Sequence, residues 1–191
     1  KGFVPIYEPG LTEIVLKNLH DTGRLVFTTD IKEAVGYGHI IFITVNTPTL
    51  PDYTSDLSSV FQAGIDIALH MDSYKVIVNK STVPIGTGRR MKEIIHNTLT
   101  SQGRNIDFDI VSNPEFLREG SAVRDFFTPE RIIIGTESEK AAIMMTNLYN
   151  QNFFQDIPVV LTNLETAEMV KYASNAFLAT KISFINEIAN M

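Results

Sequence analysis

Six short runs rich in Val, Ile, Leu and Phe, separated by stretches of helical periodicity, constrain this chain more than any other feature. They are LVFTT (25–29), HIIFITV (39–45), YKVIVNK (74–80), FDIVSN (108–113), RIIIG (131–135) and a weaker IPVVLT (157–162). Runs with so little polar alternation read as strands buried on both faces. Between them, residues 10–20, 30–36, 56–72, 86–102 and 137–152 repeat apolar side chains at helical spacing, several behind caps such as Asp30 and Asp56. Strand alternating with helix predicts a parallel sheet with right-handed crossovers, the doubly wound α/β class. After Asn163 the pattern changes. The segment 164–191 holds no proline or glycine and repeats apolar residues every three or four positions, which predicts one long helix leaving the sheet. The expected division is therefore a sheet domain over 1–162 and a helix from 163 to 191.

With 191 residues, 44% of them hydrophobic, the chain can bury one domain-sized core. A net charge of -6 argues against nucleic acid or an anionic membrane surface as a general partner. No apolar run reaches about 18 residues, and the start KGFVPIYEPG lacks a basic stretch followed by an apolar one, so the expected location is the cytoplasm. There is no cysteine, which removes disulfides and any thiol nucleophile from these residues. The four histidines, His20, His39, His70 and His96, have no metal-ligand spacing, and no metal site is expected.

In an open parallel sheet, ligands bind beyond the carboxyl ends of the strands, where helix N-termini aim free amides into a crevice. Asn46, Thr47 and Pro48 follow the second run; Ser81, Thr82, Val83 and Pro84 follow the third; Pro114 and Glu115 follow the fourth. Turn chemistry explains any one of these. Three on one edge of one sheet point to a site. In SNPEFLREGSAVRDF (112–126), Glu115 and Glu119 are four apart, so a helix over 116–125 would project both carboxylates from one face and raise at least one pKa toward the range of a general base. Arg118 and Arg124 lie in the same segment, able to neutralise the acids or to receive a phosphate. A solvated, salt-bridged helix start fits the same spacing equally well. On the last helix Lys171 and Asn175 are also four apart. They either donate to one developing oxyanion or form the wet side of an amphipathic helix.

No G-x-G-x-x-G or Walker A sequence is present, and Gly36, Tyr37 and Gly38 precede a strand rather than follow one. The stretch STVPIGTG (81–88) does follow a strand and open a helix, but carries no phosphate fingerprint.

FTTD (27–30), VNKSTVPIGT (78–87), SNPEFLREGSAVRDF (112–126), PERIIIG (129–135) and AEMVKYASNAFLATKISFINEIAN (167–190), in this order, resemble the UDP-glucose/GDP-mannose dehydrogenase family along essentially the whole chain. The resemblance implies an incomplete Rossmann-like sheet and an NAD-dependent enzyme. Such an enzyme would oxidise the C6 alcohol of a nucleotide sugar, UDP-glucose before others, to a carboxylate by two hydride transfers through a cysteine thioester. By position, it implies that Thr82 orients a water near the reacting carbon and that Glu115 serves thioester hydrolysis. Lys171 and Asn175 would stabilise the oxyanion and move the C6 proton. Thr47, Pro48, Ser81, Thr82 and Glu119 would face the NAD, while Glu115, Phe116, Leu117, Arg118 and Glu119 would hold the nucleotide sugar. Arg124 is a further candidate for its diphosphate.

Two features of the family pattern are missing: the glycine-rich NAD loop with its ribose-binding acid, and the cysteine with the nucleotide-sugar domain. In a 3-2-1-4 strand order the first two strands would lie between 25–29 and 39–45, so a gap in the sheet is expected there. Low NAD affinity, no turnover and weak independent stability are expected of these residues by themselves. The last helix's apolar stripe of Ala167, Val170, Phe177, Leu178, Ile182 and Ile185 is expected to form a homodimer. GDP-mannose or UDP-N-acetylmannosamine as substrate, and a non-catalytic nucleotide-binding module, remain alternative readings.

Overall fold

The computed structural model describes residues 4–150 and 157–191. Five strands form one sheet in the order β1-β2-β3-β4-β5: β1 (Ile40–Ile43), β2 (Lys75–Asn79), β3 (Phe108–Ser112), β4 (Ile132–Gly135) and β5 (Val159–Thr162). Each coincides with one of the apolar runs. β2, the second strand of the sheet, is buried at every position, as a run without polar alternation requires.

Helices alternate with the strands as expected: α1 (Leu11–Leu16) continuing into a π-helical turn (Lys17–Asp21), α2 (Ile31–Tyr37), α3 (Ser58–His70), α4 (Thr87–Ser101), α5 (Ala122–Phe127), α6 (Glu139–Tyr149) and α7 (Leu164–Ala189). Asp30 caps α2 by accepting the Lys32 and Glu33 amides, and Asp56 accepts the first amide of α3 at 2.9 Å. The expected end of the 137–152 helix lies partly outside the described residues. Two cores form. Ile43, Ile77 and Ile110 face α3 and α4 through Val60, Met91 and Ile95. Val76, Val78, Val111 and Ile134 face α6 through Ala141 and Met145.

Three expectations need correction. The run 25–29 forms no strand, and Val26 and Phe27 are exposed. An extended run is held by ladder bonds to a neighbour, and among the described residues β1 has its only ladder on the β2 side. The sheet is also not wholly parallel. β4 meets β3 antiparallel at Ser112 and Gly135, while the other pairs are parallel. The connection between β3 and β4 holds only the six residues of α5 as helix. It does not cross back over the sheet, so the chain re-enters beside the carboxyl end of β3. There Asn113 Nδ2 donates to Ile133 O at 2.7 Å. The third correction concerns 116–125, where helix begins only at Ala122. Ahead of it the Glu115 carboxylate accepts the Leu117 amide and Asp125 accepts the Arg118 amide, so side chains take the donors a helix would use. Glu115 and Glu119 therefore share no helix face.

The long helix is present. Asn163 caps α7 by accepting the Thr166 amide at 2.8 Å, and 26 residues give it a length of about 39 Å. Its first turns sit against the end of β4, where a Cβ on Gly135 would stand 2.5 Å from Ala167 Cβ and 2.6 Å from Asn163 O. Ala167 is consequently buried and belongs to the chain's own core rather than to an exposed stripe, and Val170 is half-buried. From Phe177 onward the helix extends past the sheet, with Phe177, Ile182 and Ile185 each more than half exposed. No helix among the described residues is long and apolar enough to cross a membrane.

Candidate active site

The carboxyl ends of β1, β2 and β3 converge with the second turn of α7. Lys171, only 6% exposed, places Nζ 2.8 Å from Glu115 Oε1 and 5.4 Å from the centre of the Phe116 ring. The pair joins α7 to the loop after β3 across 56 positions of sequence. Pro114 ends the strand, and the Leu117 amide, 2.5 Å from Glu115 Oε2, fixes the carboxylate's second oxygen.

A third charge stands beside them. Lys80, the residue after β2, donates to Asn113 Oδ1 at 3.3 Å and lines two cavities that Glu115 also lines. Burial pushes its ammonium down to about 8; Glu115 opposes the shift and Lys171 adds to it. The larger cavity, about 260 Å³, is bounded by Thr44, Val45, Lys80, Ser81, Thr82, Glu115 and Leu117. Its walls are tied together. Ser81 Oγ donates to Val45 O at 2.7 Å, and Thr47 Oγ1 donates to Thr82 O at 2.9 Å. Pro48 is exposed on the loop after β1, where its carbonyl accepts the Asp56 amide.

Thus Ser81, Thr82, Glu115, Phe116, Leu117 and Lys171 come together, and Thr47 supports Thr82. The remaining expected site residues stand apart. Glu119 and Arg124 are exposed and border neither cavity. Arg118 turns to Asp125 in a two-pronged pair at 2.9 and 2.7 Å, so it neutralises neither glutamate. Asn175 follows Lys171 by one turn of α7 and is exposed.

Sequence reasoning missed Lys80, Asn113 and Glu168. Lys80 and Asn113 close the same two strands whose next residues were singled out, and that adjacency was a usable signal. Glu168 had none, since its partners are backbone amides some 80 residues away. It lies 2% exposed on α7 and accepts the Gly86 amide at 2.6 Å and the Gly88 amide at 2.8 Å. Burial pushes its carboxyl up, against the pull of those amides.

Comparison with known proteins decides what this arrangement belongs to. Residues 1–153 match the NAD binding domain of the UDP-glucose/GDP-mannose dehydrogenase family, and residues 165–191 match its central domain. The chain belongs to this family. It is 54% identical over 190 residues to the UDP-glucose 6-dehydrogenase TuaD of Bacillus subtilis (strain 168), covering 100% of this chain and 40% of that protein. The UDP-glucose dehydrogenase structure from Pyrobaculum islandicum superposes with a TM-score of 0.88 at 41% identity, over 98% of this chain and 42% of the other. A ternary complex of GDP-mannose dehydrogenase from Pseudomonas aeruginosa gives a TM-score of 0.87 at 33% identity, over 97% and 42%. The chain thus spans about two fifths of the length of the relatives it matches.

NAD is the cofactor of the domain that this family member matches. The residues present fit part of such a group. The cavity over the carboxyl ends of β1 and β2 offers Ser and Thr hydroxyls beside an apolar wall of Val45 and Leu117. The N-terminus of α4, by contrast, is closed to a phosphate, because Glu168 already takes the Gly86 and Gly88 amides.

Proposed function

We propose that this family member is the cofactor-side part of an NAD-dependent nucleotide-sugar 6-dehydrogenase that oxidises UDP-glucose to UDP-glucuronate, acting in the cytoplasm. The Lys171 to Glu115 ion pair carries the reading. It ties the buried Lys171 ammonium to a carboxylate that lines a cavity on the carboxyl edge of the sheet, where acid/base chemistry at a sugar C6 needs them. NAD, when bound, accepts hydride. Lys171, with Asn175 one turn further, donates to the oxygen at C6 as negative charge develops there. Glu115 takes or returns a proton in hydrolysing the cysteine thioester, with a water held by Thr82, and the cysteine is supplied from outside these 191 residues. Glu119, Arg118 and Arg124 meet the nucleotide sugar as it closes the cleft.

The identity of 54% to a UDP-glucose 6-dehydrogenase, against 33% to the GDP-mannose dehydrogenase, supports UDP-glucose as the sugar. In this reading residues 1–162 form the NAD-binding unit and 163–191 begin the central helix. The exposed apolar residues of α7 beyond Phe177 pack against a second copy, and sedimentation of the full-length protein as a dimer is expected.

The test is turnover by the full-length protein with NAD and, separately, UDP-glucose, GDP-mannose and UDP-N-acetylmannosamine. Two NADH formed per UDP-glucuronate is expected. Preference for another sugar would reassign the substrate, and no NAD reduction with any of them would sink the reading.

A further inference from the structure

The loop 81–88 is held from both sides. On the sheet side, Ser81 and Thr82 are tied to Val45 and Thr47. On the other side Glu168 Oε2 accepts the Gly86 amide and Oε1 the Gly88 amide. Leu164, one turn earlier on α7, packs onto the same glycine. A Cβ at Gly88 would stand 3.2 Å from both Glu168 Oε1 and Leu164 Cδ2. Arg89 pairs with Glu165 beside this contact. Glu168 is itself one turn before Lys171, on the same continuous helix.

Burying a carboxylate is costly, and an apolar side chain packed on Gly88 would join the two helices without desolvating a charge. A carboxylate adds direction: two short bonds to two fixed amides set the position of α7 along and across the α4 terminus. The residues so related are Thr82, four positions before Gly86, and Lys171, three positions after Glu168.

We propose that Glu168 is a positioning residue of the active site, setting the separation between the loop that carries Ser81 and Thr82 and the helix that carries Lys171. It touches neither substrate nor cofactor, and acts through the two glycine amides. The assignment rests on the proposed function for the roles of Thr82 and Lys171, but the clamp itself is independent of them.

The experiment approaches the clamp from both sides in the full-length protein, with Glu168→Gln and Gly88→Ala. Glutamine keeps the size but presents an NH₂ to one of the amides. Alanine keeps the carboxylate but pushes it away. Each is expected to lower kcat on the order of 10²-fold while leaving KM for NAD and for UDP-glucose within about twofold, as misplacement of reacting groups does. The double variant is expected to be no slower than the slower single one, because both remove one contact. Wild-type kcat in the single variants, or fully additive losses, would overturn the proposal. A second readout needs no activity. Hydrogen exchange followed in peptides 81–88 and 164–175 is expected to accelerate in both segments. Acceleration confined to 81–88 would reduce Glu168 to a local cap and overturn it. Absent turnover in the wild type would instead count against the proposed function, leaving the exchange result to decide the clamp.

Discussion

Lys171 Nζ lies 2.8 Å from Glu115 Oε1, with the lysine side chain 8% exposed and the glutamate side chain 30% exposed. The asymmetry matters. Lys171 has surrendered its hydration and depends on its partner, whereas Glu115 keeps a face toward the cavity. Lys171→Met in the full-length protein is expected to cut kcat about 10² to 10³-fold, the range for losing one preorganised oxyanion donor. It is expected to destabilise by about 1–3 kcal/mol, between exposed and fully buried pairs. Initial-rate kinetics and urea unfolding read the two effects. A kcat within twofold of wild type would remove Lys171 from the mechanism.

The seat of α7 depends on a missing side chain. Gly135 ends β4 where Ala167 and the Asn163 carbonyl come within 2.6 Å of where a Cβ would stand, and a backbone atom cannot swing aside. Gly135→Ala is expected to destabilise the protein by about 1–3 kcal/mol through overpacking. Because the displaced helix carries Lys171, activity should fall beyond what the lost folded fraction explains. An alanine variant with unchanged unfolding midpoint would show that α7 is seated with more slack than these distances allow.

Much of this was legible in sequence, and the exceptions share a cause. Strands are specified by local composition, and all five observed strands fall on apolar runs, although Val160 and Leu161 of β5 stay exposed. The run 25–29 has the same composition yet forms no strand, since composition supplies side chains to bury but not a neighbour to bond. Likewise Glu115 and Lys171 each stand in a recognisable local pattern, a strand end with proline and a polar pair at helical spacing. The contact between them spans 56 positions and has no local signal. The expected helix over 116–125 failed because side-chain acceptors competed for its first amides, a choice that spacing rules do not see. Lys80 reads in sequence as the tail of a strand, although a lysine just past a fully buried strand is an unusual polar group that needs a partner.

Arg118 grips Asp125 through Nε, a terminal nitrogen and its own backbone amide. This holds the Asp125 carboxyl down to about 2. The folded value is below the ordinary one of 3.8, so the stabilising effect is present above pH 3.8 and is lost as pH falls toward 2. Arg118→Gln is expected to return the Asp125 carboxyl toward its ordinary range, seen by NMR titration, and to loosen the start of α5. If binding the nucleotide sugar recruits Arg118 away from Asp125, the same return should appear on adding UDP-glucose to the wild type. A carboxyl that stays near 2 with substrate bound would exclude that exchange of partners.

Lys80 gives the opposite pH signature. Its ammonium titrates at about 8 in the folded protein and at 10.5 ordinarily, so between those values the unfolded chain holds a proton that the folded chain has shed. Unfolding then takes up a proton, and the contribution of Lys80 to stability rises with pH through that window. Below 8 both states are charged, and the folded state bears the full cost of burying the ammonium. Replacing Lys80 with methionine removes that cost and the slope together. Asn113 would keep its bonds to Tyr149 and Ile133 in the variant, so its amide remains satisfied. The urea midpoint of Lys80→Met is therefore expected to exceed that of wild type at neutral pH, with the advantage shrinking toward pH 10. A difference that stays flat across this range would mean that Lys80 is as well solvated as a surface lysine, and would separate it from the charge cluster around Glu115.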